Sequence, residues 1–313
     1  MTQVLVVGSV NMDIVARVPR FPDPGETVRG SRLDLIPGGK GANQAVAASR
    51  LAVDTAMIGR VGSDAFGAAL ANGLASEGVL PLVEVSQGSS GIALITVDRD
   101  GENSIIIIPG ANGLVSPSDV GMYDEHFENA DVLLVQFELP METVAAAVAM
   151  GRSHGILTVV DPAPAPASDV EIPQEIWDAD VFSPNQTEAE ALTGISVTSV
   201  ETAVSAAQLL LERGPRAIVI KMGALGAIYV DRDSAPLYQS AKTVIAMDST
   251  AAGDAFMAAF AVRFAETKQA ESALAWGCAA GAIAVQHYGA QTAMPKRGEV
   301  SELAHQLRPS KRL

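Results

Sequence analysis

The sequence predicts an α/β fold in which helices cover both faces of a mostly parallel sheet. Apolar runs of strand length alternate with alanine-rich stretches of helical period, as βαβ units require. The runs are hydrophobic almost without interruption, which suits strands buried on both faces. No repeat, low-complexity block or long linker divides the 313 residues. Buried strands are expected at Val4–Val7, Thr55–Ile58, Val132–Val135, Thr158–Val160, Val181–Ser183 and Ala217–Lys221. Helices are expected at Ala42–Leu51, Phe66–Glu77, Met141–Arg152, Thr187–Leu192, Glu201–Glu212, Ala252–Ala265 and Glu271–Val285. Several start beside a Gly, Ser, Pro or Asn.

Two segments break that rhythm. Residues 11–37 are rich in Pro and Gly, with short strand-like pieces at Ile14–Val18 and Thr27–Gly30. Residues 90–110 read as a hairpin, Ile92–Val97 and Ser104–Ile108 around the polar turn Asp98–Asn103. Four consecutive isoleucines in the second arm cannot all face water. One reading is a sheet edge packed on the main domain. The favoured one is a small β-sheet lid, fed by both segments and covering a cleft. The main domain is then 1–10, 38–89 and 111–313, and the lid is 11–37 plus 90–110.

Composition narrows the function. Hydrophobic residues make up 48% and charged residues 18%, the balance of a globular chain. Lys and Arg total 21 against 36 Asp and Glu, a net charge of −15. That argues against nucleic acid and acidic membrane as partners, because phosphate contacts need a basic footprint. The single cysteine, Cys278, excludes an internal disulfide and a multi-cysteine zinc site. The amino terminus lacks the basic flank of a signal peptide. The longest apolar run, Ala273 to Val285, is shorter than the ~20 residues of a membrane span. A cytoplasmic protein is expected.

Phosphate loops of the GxxxxGK[ST] type, zinc helices and GxSxG elbows are missing, and Gln44 occupies the third glycine position of a GxGxxG. The densest constellation is Asp248-Ser249-Thr250-Ala251-Ala252-Gly253-Asp254, followed at once by a helical run. Ala251, Ala252 and Gly253 let the backbone approach a ligand while the helix start offers unpaired N–H groups, an anion hole suited to phosphoryl transfer. Asp254 in the first turn could take a proton from an attacking hydroxyl. An isolated Gly-Asp turn would equally suit an ordinary helix start. Lys40 and Asn43 in PGGKGANQ (37–44) offer donors beside three glycines. Asn11 and Asp13 follow the first strand, at the edge where open α/β sheets bind ligands. Each has a plain structural reading as well, a strand-to-helix turn and an Asx turn.

Taken together, these residues resemble the ribokinase (phosphofructokinase-B) family of carbohydrate kinases. The resemblance runs from Val4 to about Met294 and is carried by GSVNMD (8–13), FPDPGETVRG (21–30), PGGKGANQAVAASRL (37–51), GENSIIIIPGAN (101–112), DPAPA (161–165), SPNQTEAEALTG (183–194) and DSTAAGD (248–254). It implies a ribokinase-like three-layer α/β/α fold and ATP-dependent phosphorylation of a sugar primary hydroxyl. D-ribose to D-ribose 5-phosphate is the first expectation. Deoxyribose, fructose, another small sugar or a nucleoside are alternatives. Asp254 becomes the base, with Ala251, Ala252 and Gly253 as the anion hole. Asn11, Asp13, Gly39, Lys40, Asn43 and Glu138 would contact the sugar. Asn185, Lys221, Gly223, Gly226 and Gly253 would bind ATP, with Asn185 and Glu188 organising Mg²⁺ through water. Asp248, Thr250, Ala284, His287, Gly289 and Ala293 match a monovalent-cation (K⁺) site. Ala293 departs from the family pattern, which has a serine there, and Lys221 stands where many members have threonine. A homodimer through the lid is also implied.

Overall fold

The computed structural model describes residues 2–167 and 170–313. In chain order the elements begin β1 (Gln3–Val7), β2 (Asn11–Arg17), β3 (Arg32–Gly38), α1 (Lys40–Arg50), β4 (Asp54–Gly62), α2 (Gly67–Ser76), β5 (Val79–Ser86), β6 (Gly91–Val97) and β7 (Asn103–Ile108). They continue α3 (Pro117–Gly121), α4 (Asp124–Asn129), β8 (Val132–Gln136), α5 (Met141–Ser153), β9 (Leu157–Asp161), α6 (Gln174–Trp177), β10 (Val181–Phe182), α7 (Gln186–Thr193), α8 (Val200–Leu211) and β11 (Ala217–Lys221). The last are β12 (Ala227–Asp231), β13 (Leu237–Gln239), α9 (Ala252–Thr267), α10 (Ala270–Ala284), α11 (Arg297–Gln306) and β14 (Lys311–Arg312).

The large sheet has the order β14-β13-β12-β11-β10-β9-β8-β1-β4-β5. It is parallel from β11 to β5 and antiparallel from β11 to β14. Alternate residues of each central strand feed two cores. Val4, Val6, Leu134 and Val219 face α1, α9 and α10, while Leu5, Val7, Leu133 and Ile220 face α5 and α8. Strands buried on both sides explain why the apolar runs show no alternation. Parallel connectivity also brings the carboxyl ends of β1, β8, β9, β10 and β11 to one edge, where the polar motifs follow.

The second sheet is β3-β2-β6-β7. Its second expected piece differs: Thr27–Gly30 is not a strand, and Arg32–Gly38 pairs with β2 instead. β2 is bonded along its full length to β3 on one side and β6 on the other, so neither side of β2 is open to Thr27–Gly30. Strand β7 lies at the edge, and all four isoleucines stay accessible in the single chain, Ile105 at 50%, Ile106 at 61%, Ile107 at 46% and Ile108 at 41%. Leu33 and Leu35 on β3 are exposed as well. Among the described residues no helix is long and apolar enough to cross a membrane.

Candidate active site

The chain crosses from the large sheet into the small one at Ser9–Asn11 and returns at Gly38–Lys40. Gly39 sits at φ 89°, and a Cβ there would lie 2.8 Å from both the Asn11 nitrogen and the Ser9 oxygen. Only glycine permits that crossing, which starts α1 against the end of β1. Glu138, on the loop after β8, ties the two passes together. Its Oε2 accepts from Ser9 Oγ at 2.5 Å and from the Lys40 backbone nitrogen at 3.1 Å. Asn112 fastens a third pass: its Nδ2 donates to Asn11 Oδ1 at 2.7 Å, and its Oδ1 accepts from the Val10 nitrogen at 2.9 Å.

Asp254 is buried in the first turn of α9, behind Ala251, which takes a left-handed φ of 57°. The first i to i−4 bond of that helix reaches back from the Ala255 nitrogen to the Ala251 oxygen. The N–H groups of Gly253 and Asp254 therefore have no helical acceptor and face a cavity of about 650 Å³. Asn43 Nδ2 and Gln44 Nε2 each donate to Asp254, both at 3.1 Å. Asn43 Oδ1 is buried with no partner, an acceptor left for a ligand hydroxyl.

Charge crowds this edge. Burial pushes the Asp254 carboxyl up to about 6, with Lys40 pulling it down and Asp161 pushing it up. Asp13 is pushed up to about 7 by burial and by the charges of Glu138 and Asp254. Burial opposes the Lys40 ammonium, yet Asp254, Asp161, Glu138 and Glu188 around it raise its proton affinity above an ordinary lysine's. Asp13, Lys40, Asn43, Glu138 and Asp254 are thus gathered at this edge, with Asn11 and Gly39 on the two crossings beside them.

The rest of the cavity is lined by Asn185, Glu188, Lys221, Gly223, Gly226 and Gly253, with others between. Asn185 caps α7 and exchanges bonds with Glu188 in both directions. Burial raises the Glu188 carboxyl despite Lys221 nearby. A buried carboxylate beside a phosphate-sized space fits a hydrated divalent cation carried in on a triphosphate. Lys221 does not hang free at the strand end: its Nζ pairs with Asp161 Oδ1 at 2.7 Å. Cys278 packs in the cavity wall, and burial pushes its thiol up to about 12.

The six cation positions fall on two loops joined by Asp248. Its Oδ1 accepts from the Thr250 nitrogen and hydroxyl, and its Oδ2 accepts from the Gly289 nitrogen at 2.9 Å. Ala284 ends α10, His287 and Gly289 follow it, Ala293 closes the 3-10 turn beyond them, and the Met247 nitrogen bonds to the Val285 oxygen at 2.7 Å. Asp248 thus ties the 248–250 loop to the segment that follows α10.

Motif reading missed Gln44, Gln136, Asp161 and Asn112 as parts of the site. Two of the four had a signal, shared with Lys221. The apolar strands VLLVQ, LTVVD and AIVIK each end on a polar residue, Gln136, Asp161 and Lys221. A polar group closing a doubly buried strand must find a partner at the sheet edge.

Fold and site together define a phosphoryl-accepting pocket facing a nucleotide-sized cavity across a helix amino terminus. Residues 1–297 match the pfkB family of carbohydrate kinases, and the chain belongs to that family. It is 39% identical over 299 residues to a ribokinase of Haemophilus influenzae, covering 95% of this chain and 96% of that one. A deoxyribokinase of Salmonella typhi is 34% identical, covering 96% and 97%. The structure of Arabidopsis thaliana ribokinase complexed with ribose and ATP superposes with a TM-score of 0.87 at 33% identity, over 97% of this chain and 99% of that one.

The raised Asp13 carboxyl has a consequence for stability. Its proton affinity is higher folded than unfolded, so this group's contribution falls as pH rises from about 4 to about 7. Asp13→Asn is therefore expected to raise Tm at pH 8, to leave it nearly unchanged at pH 4, and to raise the sugar KM. An equal Tm change at both pH values would show that the Asp13 charge is not under strain in the fold.

Proposed function

We propose that this enzyme transfers the γ-phosphoryl group of ATP to the primary hydroxyl of D-ribose, giving D-ribose 5-phosphate and ADP. The observation that carries the reading is a buried carboxylate in the first turn of α9, which lines the cavity and accepts from Asn43 and Gln44. The similarity to a ribokinase and to a ribose-bound and ATP-bound structure supports it.

In this reading Asn11, Asp13, Gly39, Lys40, Asn43 and Glu138 hold the sugar hydroxyls. Asp254 takes the proton from the primary hydroxyl as its oxygen attacks the γ-phosphorus, and the bond to the β-phosphate oxygen breaks. The anion hole of Ala251, Ala252 and Gly253, with the Gly253 N–H free to donate, stabilises charge on the transferring group. Asn185, Lys221, Gly223 and Gly226 hold the nucleotide. Bound Mg²⁺, positioned through Asn185 and Glu188, would supply charge neutralisation on the phosphates. Asp248, Thr250, Ala284, His287, Gly289 and Ala293 would hold K⁺ and brace the 251–253 turn. ATP dependence assigns the enzyme to the cytoplasmic nucleotide pool. The second reading, phosphorylation of deoxyribose, rests on the similar deoxyribokinase.

An ADP-coupled assay over a panel of sugars should give the highest kcat/KM with ribose. Asp254→Asn should lower kcat at least ~10²-fold with sugar affinity kept, and the wild-type rate should fall as pH drops through about 6. A variant that retained most of its kcat would falsify the assignment of the base. Higher turnover with deoxyribose would replace ribose as the substrate.

Potassium is tested by initial rate against KCl at constant ionic strength. Activation is expected, with half-saturation at lower KCl in Ala293→Ser, where the hydroxyl supplies the missing oxygen. No response in either protein would remove the cation.

The exposed isoleucines of β7, with Leu33 and Leu35, make the small sheet the natural dimer surface. Sedimentation at micromolar concentration should give twice the chain mass, and Ile106→Lys should give the chain mass. A wild-type monomer would reject the pairing.

A further inference from the structure

Lys221 and Asp161 end neighbouring regions of the sheet edge, on β11 and β9, and both are buried. Their ion pair does not stand alone. Asp161 Oδ2 accepts from Gln44 Nε2 at 3.0 Å, and the same nitrogen donates to Asp254 Oδ1 at 3.1 Å. Gln44 is held in this orientation from behind, because Gln136 Nε2 donates to Gln44 Oε1 at 2.7 Å. Flipping the Gln44 amide would turn its oxygen toward two carboxylates and lose three bonds. One amide nitrogen therefore spends both hydrogens on two aspartates, and it can do so only while each has an oxygen free to accept.

We propose that Asp161, anchored by its ion pair with Lys221, is a positioning residue that fixes the carboxylate of Asp254 through Gln44. The inference rests on Asp254 being the base. Lys221 then serves the reaction through the ion pair rather than as a phosphate contact. With Lys221 present, the ion pair anchors Asp161 and Gln44 bridges two carboxylates. With Lys221 removed, two buried aspartates share one amide and no adjacent cation on the Asp161 side, so one of them keeps a proton. The groups facing this pair of aspartates are Lys40 on α1, Asp13 on β2, Glu138 after β8, Glu188 on α7 and Lys221 on β11. Of these, Lys221 is bonded to Asp161 directly.

Steady-state kinetics of Lys221→Met, Asp161→Asn, the double variant, Gln44→Met and Asp254→Asn test this. Lys221→Met should lower kcat at pH 7 by about tenfold or more, with both KM values within about threefold, and move the acid limb of the pH profile upward. Asp161→Asn should move that limb downward. The double variant should recover most of the lost kcat, with its limb near the wild-type position. Gln44→Met should lower kcat without shifting either KM. Three results would overturn the proposal: a large rise in ATP KM in Lys221→Met that the double variant does not repair, limbs that move in the same direction in the two single variants, or an unchanged kcat in Gln44→Met. If Asp254→Asn keeps its turnover, the base assignment fails and the positioning role with it. If Asp254→Asn is inactive while Lys221→Met is unaffected, only the positioning role fails.

Discussion

Five carboxylates and two ammonium groups converge on one edge of the large sheet: Asp13, Glu138, Asp161, Glu188 and Asp254, with Lys40 and Lys221. Removing that much charge from water is the constraint on which the rest of the architecture turns, because an isolated buried carboxylate is strongly unfavourable. The chain meets much of it with hydrogen-bonding partners for Glu138, Asp161, Glu188 and Asp254 on the adjoining elements. Glu138 takes a hydroxyl and a backbone N–H, Asp254 takes two amides, and Asp161 takes an amide and an ammonium. Parallel strands and two-sided burial are what bring those partners to one place.

The excess of negative charge is not uniform. Acceptors dominate beside β1 and β8, where a ligand rich in hydroxyl donors is favoured. At the start of α9 the backbone N–H groups reverse the local polarity and favour an anion. The boundary between the two runs through Asp254. A polyol on one side and a phosphate chain on the other follow from that polarity.

Much of this was legible in the sequence. Doubly buried strands announce themselves as unbroken apolar runs, and glycine-rich turns opening helices mark the ligand edge. Strand β5 was harder, because Pro81 and its half-exposed residues break the run. The antiparallel strands β12 to β14 follow a glycine turn and are short. Thr27–Gly30 alternates like a strand, but strand pairing depends on which partner edges are vacant, a tertiary property that local pattern does not carry. In the site, Asp254 and Asn43 stood in recognisable motifs. Gln44 and Asp161 did not reveal their roles, since a bridge between side chains 117 and 210 residues apart in sequence exists only once the sheet is assembled.

The Asp161–Lys221 pair also bears on how such a site can change over generations. Replacing either partner alone strands a charge in the interior, at a cost of about 3–5 kcal/mol for a broken buried pair. A domain of ordinary stability has roughly 5–15 kcal/mol in total. A lineage that gains or loses this pair must either cross that valley one substitution at a time, protected by stability held elsewhere, or change both positions together. The ends of the two strands that flank β10 are thus inherited as a unit, although 60 residues separate them in the chain.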